Sequence, residues 1–140
     1  MIELKKKILT VLNKHPLVNL ATVTTDSKPW VRYVMTKTNK DIIIRTAVFA
    51  KSRKIDQIKS NPEVHICCGI NDLSKDTEYL QIQARAEISD EMKEKEKYWS
   101  DMLKMYFQGP SDPNYVVLII KPYRIEYWGM GKMEPEIYEL

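Results

Sequence analysis

The stretch Ile42-Ile43-Ile44-Arg45-Thr46-Ala47-Val48-Phe49-Ala50-Lys51-Ser52-Arg53-Lys54-Ile55-Asp56-Gln57-Ile58 decides how this chain reads. The β-branched run from Ile42 to Thr46 predicts a strand. A short loop follows, and Ser52 opens a helix that runs to Ser60 and is closed by Asn61-Pro62. Ser52 suits the N-cap, with its hydroxyl and the first-turn N–H groups facing outward beside Arg53 and Lys54. Oriented donors, the positive end of a helix dipole and two cations together make a cradle for a phosphate. Taken alone, the triplet is equally what a capped helix with solvated cations shows.

Working outward, Leu17 to Thr24 and Trp30 to Thr38 read as strands joined by the turn Thr25-Asp26-Ser27-Lys28-Pro29. Asn39-Lys40-Asp41 then turns the chain into the β-branched run. Arg32 sits between Val31 and Tyr33, with Trp30, Val34 and Met35 nearby. A guanidinium in such company needs an anion, unless the strand lies at a sheet edge and the side chain reaches water. Lys37 follows toward the end of the same strand. One anion could collect Arg32, Thr46 and the Ser52-Arg53-Lys54 step. Each charge-assisted hydrogen bond to it contributes about 1.5–3 kcal/mol before entropy costs.

The rest of the chain supplies a frame. Ile2 to Lys14 places Ile8, Leu9, Val11 and Leu12 near one helical face and ends at His15-Pro16. Glu63 to Ile70 reads as a strand and Asn71 to Thr77 as a loop. From Glu78 to Ile88 apolar and polar residues alternate, the mark of a half-buried strand. Ser89-Asp90 predicts the cap of a charged helix reaching about Phe107, followed by a Gly/Pro-rich loop from Gln108 to Asn114. Tyr115 to Lys121 and Tyr123 to Trp128 read as two strands broken by Pro122. The acidic tail, Met130 to Leu140, shows no period. Six or seven short strands with tight turns and three helices predict one domain over residues 1–140: a small antiparallel β-barrel with flanking helices.

Composition narrows the function. Residues 1–60 hold 13 Lys and Arg against 4 Asp and Glu, whereas residues 61–140 hold 9 against 15. A basic half favours an anionic ligand, and the acidic remainder argues against a surface built for nucleic acid. No apolar run approaches the length of a membrane span, and the amino terminus is amphipathic where a signal peptide would be apolar, so a cytoplasmic protein is expected. Cys67 and Cys68 are adjacent, with neither redox-pair nor zinc spacing, and read as free packed thiols. His15 and His65 are isolated, no metal set is evident, and no catalytic acid or base can be named.

The run from Lys28 to Lys37, then Arg45-Thr46, Ser52-Arg53-Lys54, Gln57-Ile58 and Asn61-Pro62, resembles the pyridoxamine 5′-phosphate oxidase-like family of FMN-binding split β-barrels. Gly109-Pro110-Ser111-Asp112-Pro113-Asn114-Tyr115, Pro122 and Arg124-Ile125-Glu126-Tyr127-Trp128 resemble its general-stress-protein branch. The resemblance implies a mainly β, antiparallel Greek-key split barrel that forms homodimers with FMN at the interface. It implies Arg32, Ser52, Arg53 and Lys54 around the phosphate and Thr46 at the end of the neighbouring strand. The strand backbone at Tyr33 and Val34, together with Lys37, would approach the flavin ring. Trp128 would lie near the flavin bound mainly by the other subunit. Three departures stand out. The Thr46-to-Ser52 connection looks longer than in the true oxidases, and Tyr79 replaces a glutamine that contacts the ring. Beyond Trp128, Glu134-Pro135-Glu136-Ile137-Tyr138 replaces a basic substrate motif. The expected function is a flavin-dependent oxidoreductase acting on a small molecule other than pyridoxamine phosphate. The alternative is a non-catalytic flavin or haem protein of storage or sensing type.

Overall fold

The computed structural model describes residues 2–140. The elements in chain order are α1 (Ile2–Lys14), β1 (Leu17–Val23), β2 (Pro29–Met35), β3 (Lys37–Thr38) and β4 (Ile44–Phe49). There follow α2 (Arg53–Ser60), β5 (Glu63–Cys68), β6 (Glu78–Ser89), α3 (Met92–Tyr98), β7 (Tyr115–Gly129) and β8 (Glu136–Glu139). A 3-10 turn at Asp101–Met105 lies between α3 and β7. All pairings are antiparallel, in the order β2-β1-β5-β6-β7-β4-β3, with β8 added to β7.

β2 and β3 are one strand bent at Thr36. β2 pairs with β1 at one end of the sheet order and β3 pairs with β4 at the other, so the bend rolls the sheet on itself. Thr36 holds the bend by donating both its N–H and its hydroxyl to the Pro16 carbonyl, each at 2.8 Å. Ile8, Leu12, Leu20, Ile44, Ile66, Leu80, Ile82, Leu118, Ile120 and Ile125 fill the interior, all essentially without solvent contact. The alternation from Glu78 explains its share: Leu80, Ile82, Ala84 and Ala86 point inward, while Gln83, Arg85 and Glu87 face water. Helix α1 adds Leu4, Ile8, Val11 and Leu12 from a single face.

Four local expectations need correction. The break at Pro122 does not occur, because β7 runs unbroken from Tyr115 to Gly129. A register shift opposite Gln83 and Ala84 accommodates the proline. On its other side β7 pairs with β4 only to Ile120 and with β8 only from Arg124, so the missing N–H falls in a gap between partners. The tail is not wholly aperiodic, since Glu136–Glu139 forms β8 on that free edge. The helix expected to reach Phe107 ends at Tyr98, where the phenol donates to the Met35 carbonyl at 3.1 Å. Its cap residue is Glu91, with no side-chain cap bond, and Ser89 Oγ instead accepts from the Glu91 N–H. Finally, the strand expected to end at Thr46 continues to Phe49, paired with Tyr115 to Ile120 of β7. Only Ala50, Lys51 and Ser52 connect β4 to α2.

The thiols are free. Cys68 is buried, and burial together with the adjacent Cys67 pushes its pKa up to about 12. Cys67 is half-buried on the outer face of the sheet. No helix among the described residues is long and apolar enough to cross a membrane.

Candidate functional site

β2 alternates like any strand, and its inward positions, Arg32 and Val34, lie opposite the buried Leu20 and Val18 of β1. Val34 packs on the core. Arg32 cannot do the same, so its guanidinium turns along the sheet toward α2. Nη1 donates to Thr22 Oγ1 at 2.8 Å and to the Leu20 carbonyl at 3.2 Å, and Nη2 donates to Gln57 Oε1 at 3.2 Å. All of these acceptors are neutral.

Helix α2 arrives at the same place because Ile55, Gln57 and Ile58 form its buried side. That packing sets its amino terminus beside Arg32. Ser52 is the N-cap residue, with φ −65° and ψ 145°, but its hydroxyl makes no cap bond. Its oxygen instead accepts from Lys54 Nζ at 3.0 Å. Of the first-turn N–H groups, that of Ile55 donates to the Ser52 carbonyl at 3.1 Å, and those of Arg53 and Lys54 have no acceptor within the helix. Arg53 stacks its guanidinium over the Trp30 ring, 5.6 Å from the centroid.

Arg32, Arg53 and Lys54 therefore form one cationic cluster. Among the described residues none of the three makes an ion pair with a carboxylate. Burial, and then the Arg53 charge, hold the Arg32 pKa below the usual arginine value. Burial, and then Arg32, hold Lys54 below the usual lysine value. Both shifts follow from burial and like charge, with no carboxylate of the described residues paired to the cluster to offset them. A helix amino terminus, an unoccupied-by-cap serine and three unneutralised cations fit a phosphate monoester by charge and by donor count.

The other expected residues are distributed unevenly. Thr46 is 2% exposed and donates its hydroxyl to the Met35 carbonyl at 2.6 Å, so it braces the end of β2 from inside the barrel. Lys37 is exposed on β3, with its ammonium 5.3 Å from the Tyr98 ring centroid. Tyr33 lies on the outer face and is 70% exposed. Tyr79 and Trp128 pair across β6 and β7, also on the outer face, with rings 6° from parallel and centroids 6.1 Å apart. The Trp128 indole donates to Gln81 Oε1 at 3.1 Å and Glu126 Oε1 at 3.2 Å. Within one chain this aromatic pair does not join the cationic cluster, because β1 and β5 separate β6 from β2 and the cluster faces the opposite side of the sheet. Thr22, Gln57 and Trp30 are participants to which sequence reasoning assigned no site role, although Gln57 and Trp30 lie within the family motifs. The one available signal was Gln57, a polar residue on the apolar side of α2, between Ile55 and Ile58.

A split barrel with a phosphate-type cradle between β2 and the start of α2 defines a recognisable class of protein. The sequence pattern of the pyridoxamine 5′-phosphate oxidase family matches residues 4–129. The chain belongs to that family, in its general stress protein 26 branch. It is 35% identical over 138 residues to general stress protein 26 of Bacillus subtilis, covering 99% of this chain and 97% of that one. The crystal structure of general stress protein 26 from Bacillus anthracis superposes with a TM-score of 0.83 at 30% identity, covering 99% of each chain. A pyridoxamine 5′-phosphate oxidase-related, FMN-binding protein from Nostoc punctiforme shares the fold, with a TM-score of 0.72 at 16% identity, covering 96% of this chain and 89% of that one.

Proposed function

We propose that this protein binds FMN at the interface of a homodimer and uses it for flavin-dependent oxidoreduction of a small molecule. The observation that carries this reading is the Arg32, Arg53 and Lys54 cluster, held by neutral groups and lacking any carboxylate. Family membership supports the choice of FMN among phosphate ligands, and the structural relative from Nostoc punctiforme is itself described as FMN-binding. The homodimer is supported by the outer face of β1 and β2, where Leu17, Val31, Tyr33 and Met35 are all at least 45% exposed side by side.

When bound, FMN supplies the hydride or electron transfer. The chain's own part is to hold the phosphate with Arg32, Ser52, Arg53 and Lys54, and to offer Lys37 and the β2 backbone toward the ring. Pyridoxamine phosphate is not the proposed substrate. Past Trp128 the chain carries Glu134 and Glu136 in place of a basic substrate motif, and a net acidic tail does not attract a substrate phosphate.

The test is the visible spectrum of the purified protein with and without added FMN, followed by addition of reduced nicotinamide nucleotides. Flavin bands that bleach on reduction, at one flavin per chain, are expected. No flavin bands and no titratable FMN would overturn the reading. A bound flavin that no nicotinamide nucleotide or reductase can reduce would replace it with a storage or sensing role.

A further inference from the structure

We infer that Thr22 and Gln57 are positioning residues for Arg32: a neutral clamp that fixes the guanidinium for a phosphate without spending its charge. The inference rests on the flavin-phosphate reading above and assigns the residues on which its affinity depends.

The clamp is a closed network with a defined direction. Arg32 can only donate, so both of its partners must present oxygen. Thr22 Oγ1 accepts from Arg32 Nη1 and donates its own hydrogen bond to Gln57 Oε1, which also accepts from Arg32 Nη2. The Gln57 amide must therefore turn its oxygen, not its nitrogen, toward the arginine. Thr22 is 1% exposed and Gln57 8%, so water does not compete for these bonds. Three elements meet here: Thr22 in β1, Arg32 in β2 and Gln57 in α2. The same helix carries Ser52, Arg53 and Lys54 at its amino terminus. Gln57 thus sets the position of both halves of the cradle.

A carboxylate at either acceptor position would hold Arg32 more strongly. It would also neutralise the charge that a phosphate needs. Without any holder, repulsion from Arg53 and Lys54 would drive Arg32, which sits on the last strand of the sheet order, outward into water. Neutral acceptors satisfy both demands. They oppose the repulsion with hydrogen bonds and leave the cationic charge whole.

The discriminating variant is Gln57→Glu, because a merely structural Gln57 would tolerate it. Glutamate keeps both acceptor roles and adds an ion pair to Arg32, so the fold should melt no earlier than wild type. The measurement is the dissociation constant of FMN against that of riboflavin, which lacks the phosphate, by flavin fluorescence quenching. Wild type should favour FMN. Gln57→Glu should shrink that preference by roughly tenfold or more while leaving riboflavin affinity unchanged. Thr22→Val, which removes the hydroxyl at near-constant volume, should also shrink it, and Thr22→Ser should restore it. A Gln57→Glu protein that keeps the wild-type preference would overturn the clamp, as would a Thr22→Val protein that does so. A wild type that binds FMN no more tightly than riboflavin would instead remove the phosphate reading on which the clamp rests.

Discussion

The ammonium of Lys54 donates to the hydroxyl oxygen of Ser52 at 3.0 Å, across the first turn of α2. Ser52 holds the backbone geometry of a cap residue, yet its side chain serves the cation and not the helix. The helix start is therefore left without a side-chain cap. Replacing an N-cap serine by alanine ordinarily costs about 1 kcal/mol. Here Ser52→Ala should cost well under that in urea unfolding of the ligand-free protein, while weakening FMN binding. A cost of normal cap size would show that the hydroxyl is a structural cap in solution.

Arg32 and Lys54 are charged against the preference of their surroundings, through burial and mutual repulsion. Arg32→Ala and Lys54→Ala should each abolish most phosphate-dependent FMN affinity. Neither should destabilise the ligand-free fold much, since Thr22 and Gln57 remain bonded to each other without the arginine. Added salt should raise the stability of ligand-free wild type by screening the repulsion, and should do so less in either variant. Equal salt responses in all three proteins would contradict the repulsive cluster.

Asp76 ties the loop before β6 to the end of α1. Its Oδ2 accepts the N–H groups of Asn71 at 2.9 Å and Asp72 at 3.0 Å, and its Oδ1 faces His15 Nε2 at 3.5 Å and Lys14 Nζ at 3.8 Å. The backbone donors first, and then the His15 and Lys14 charges, hold this carboxyl below the usual aspartate value. A carboxyl lowered on folding contributes stability that is complete above its unfolded pKa, about 4, and is lost as pH falls through its lower folded value. The stability gap between wild type and Asp76→Asn should thus shrink as pH falls below about 4 and through the lower folded value. Denaturation at a series of pH values checks this, and a gap unchanged in acid would refute it.

Gly69 follows β5 with φ +125°, and a Cβ there would lie 2.6 Å from the Glu78 carbonyl oxygen and 2.8 Å from Tyr79 Cα. Both obstacles are backbone at the start of β6 and cannot turn aside. Gly69→Ala should therefore cost at least about 2 kcal/mol in denaturant unfolding, and should perturb the neighbouring Tyr79–Trp128 pair, visible as a change in tryptophan fluorescence.

Tyr33 projects from the outer face of β2 opposite Asn19, and its exposure means that the single chain does not need it for folding. Tyr33→Glu should leave the melting temperature of the monomer fold intact but place a carboxylate in the proposed subunit contact. Sedimentation should show the wild type as a dimer and the variant shifted to monomer, with FMN affinity reduced in step. A variant that stays dimeric would move the contact elsewhere on the molecule.

Much of this protein is written in local pattern. The alternation from Glu78 to Ile88 needs only a period of two, α1 needs only its apolar face, and Ser52-Arg53-Lys54 announces a helix start. Arg32 stood out because charge amid apolar neighbours needs a partner or water, and local pattern left that choice open. Other features depend on residues far apart in the chain, and local pattern could not supply them. Whether β7 survives Pro122 depends on where β4 stops and β8 begins along its edge. Whether Glu136–Glu139 becomes a strand depends on that edge being free. α3 ends at Tyr98, whose phenol binds a carbonyl at the end of β2. The partners of Arg32 are Thr22 and Gln57, which meet only when β1, β2 and α2 pack together. The sequence by itself determined an antiparallel barrel with a helix start at Ser52 flanked by cations, and its family motifs determined the split barrel. The tertiary structure alone decided that Arg32 is held there by neutral groups, because burial and packing choose which acceptors a guanidinium can reach.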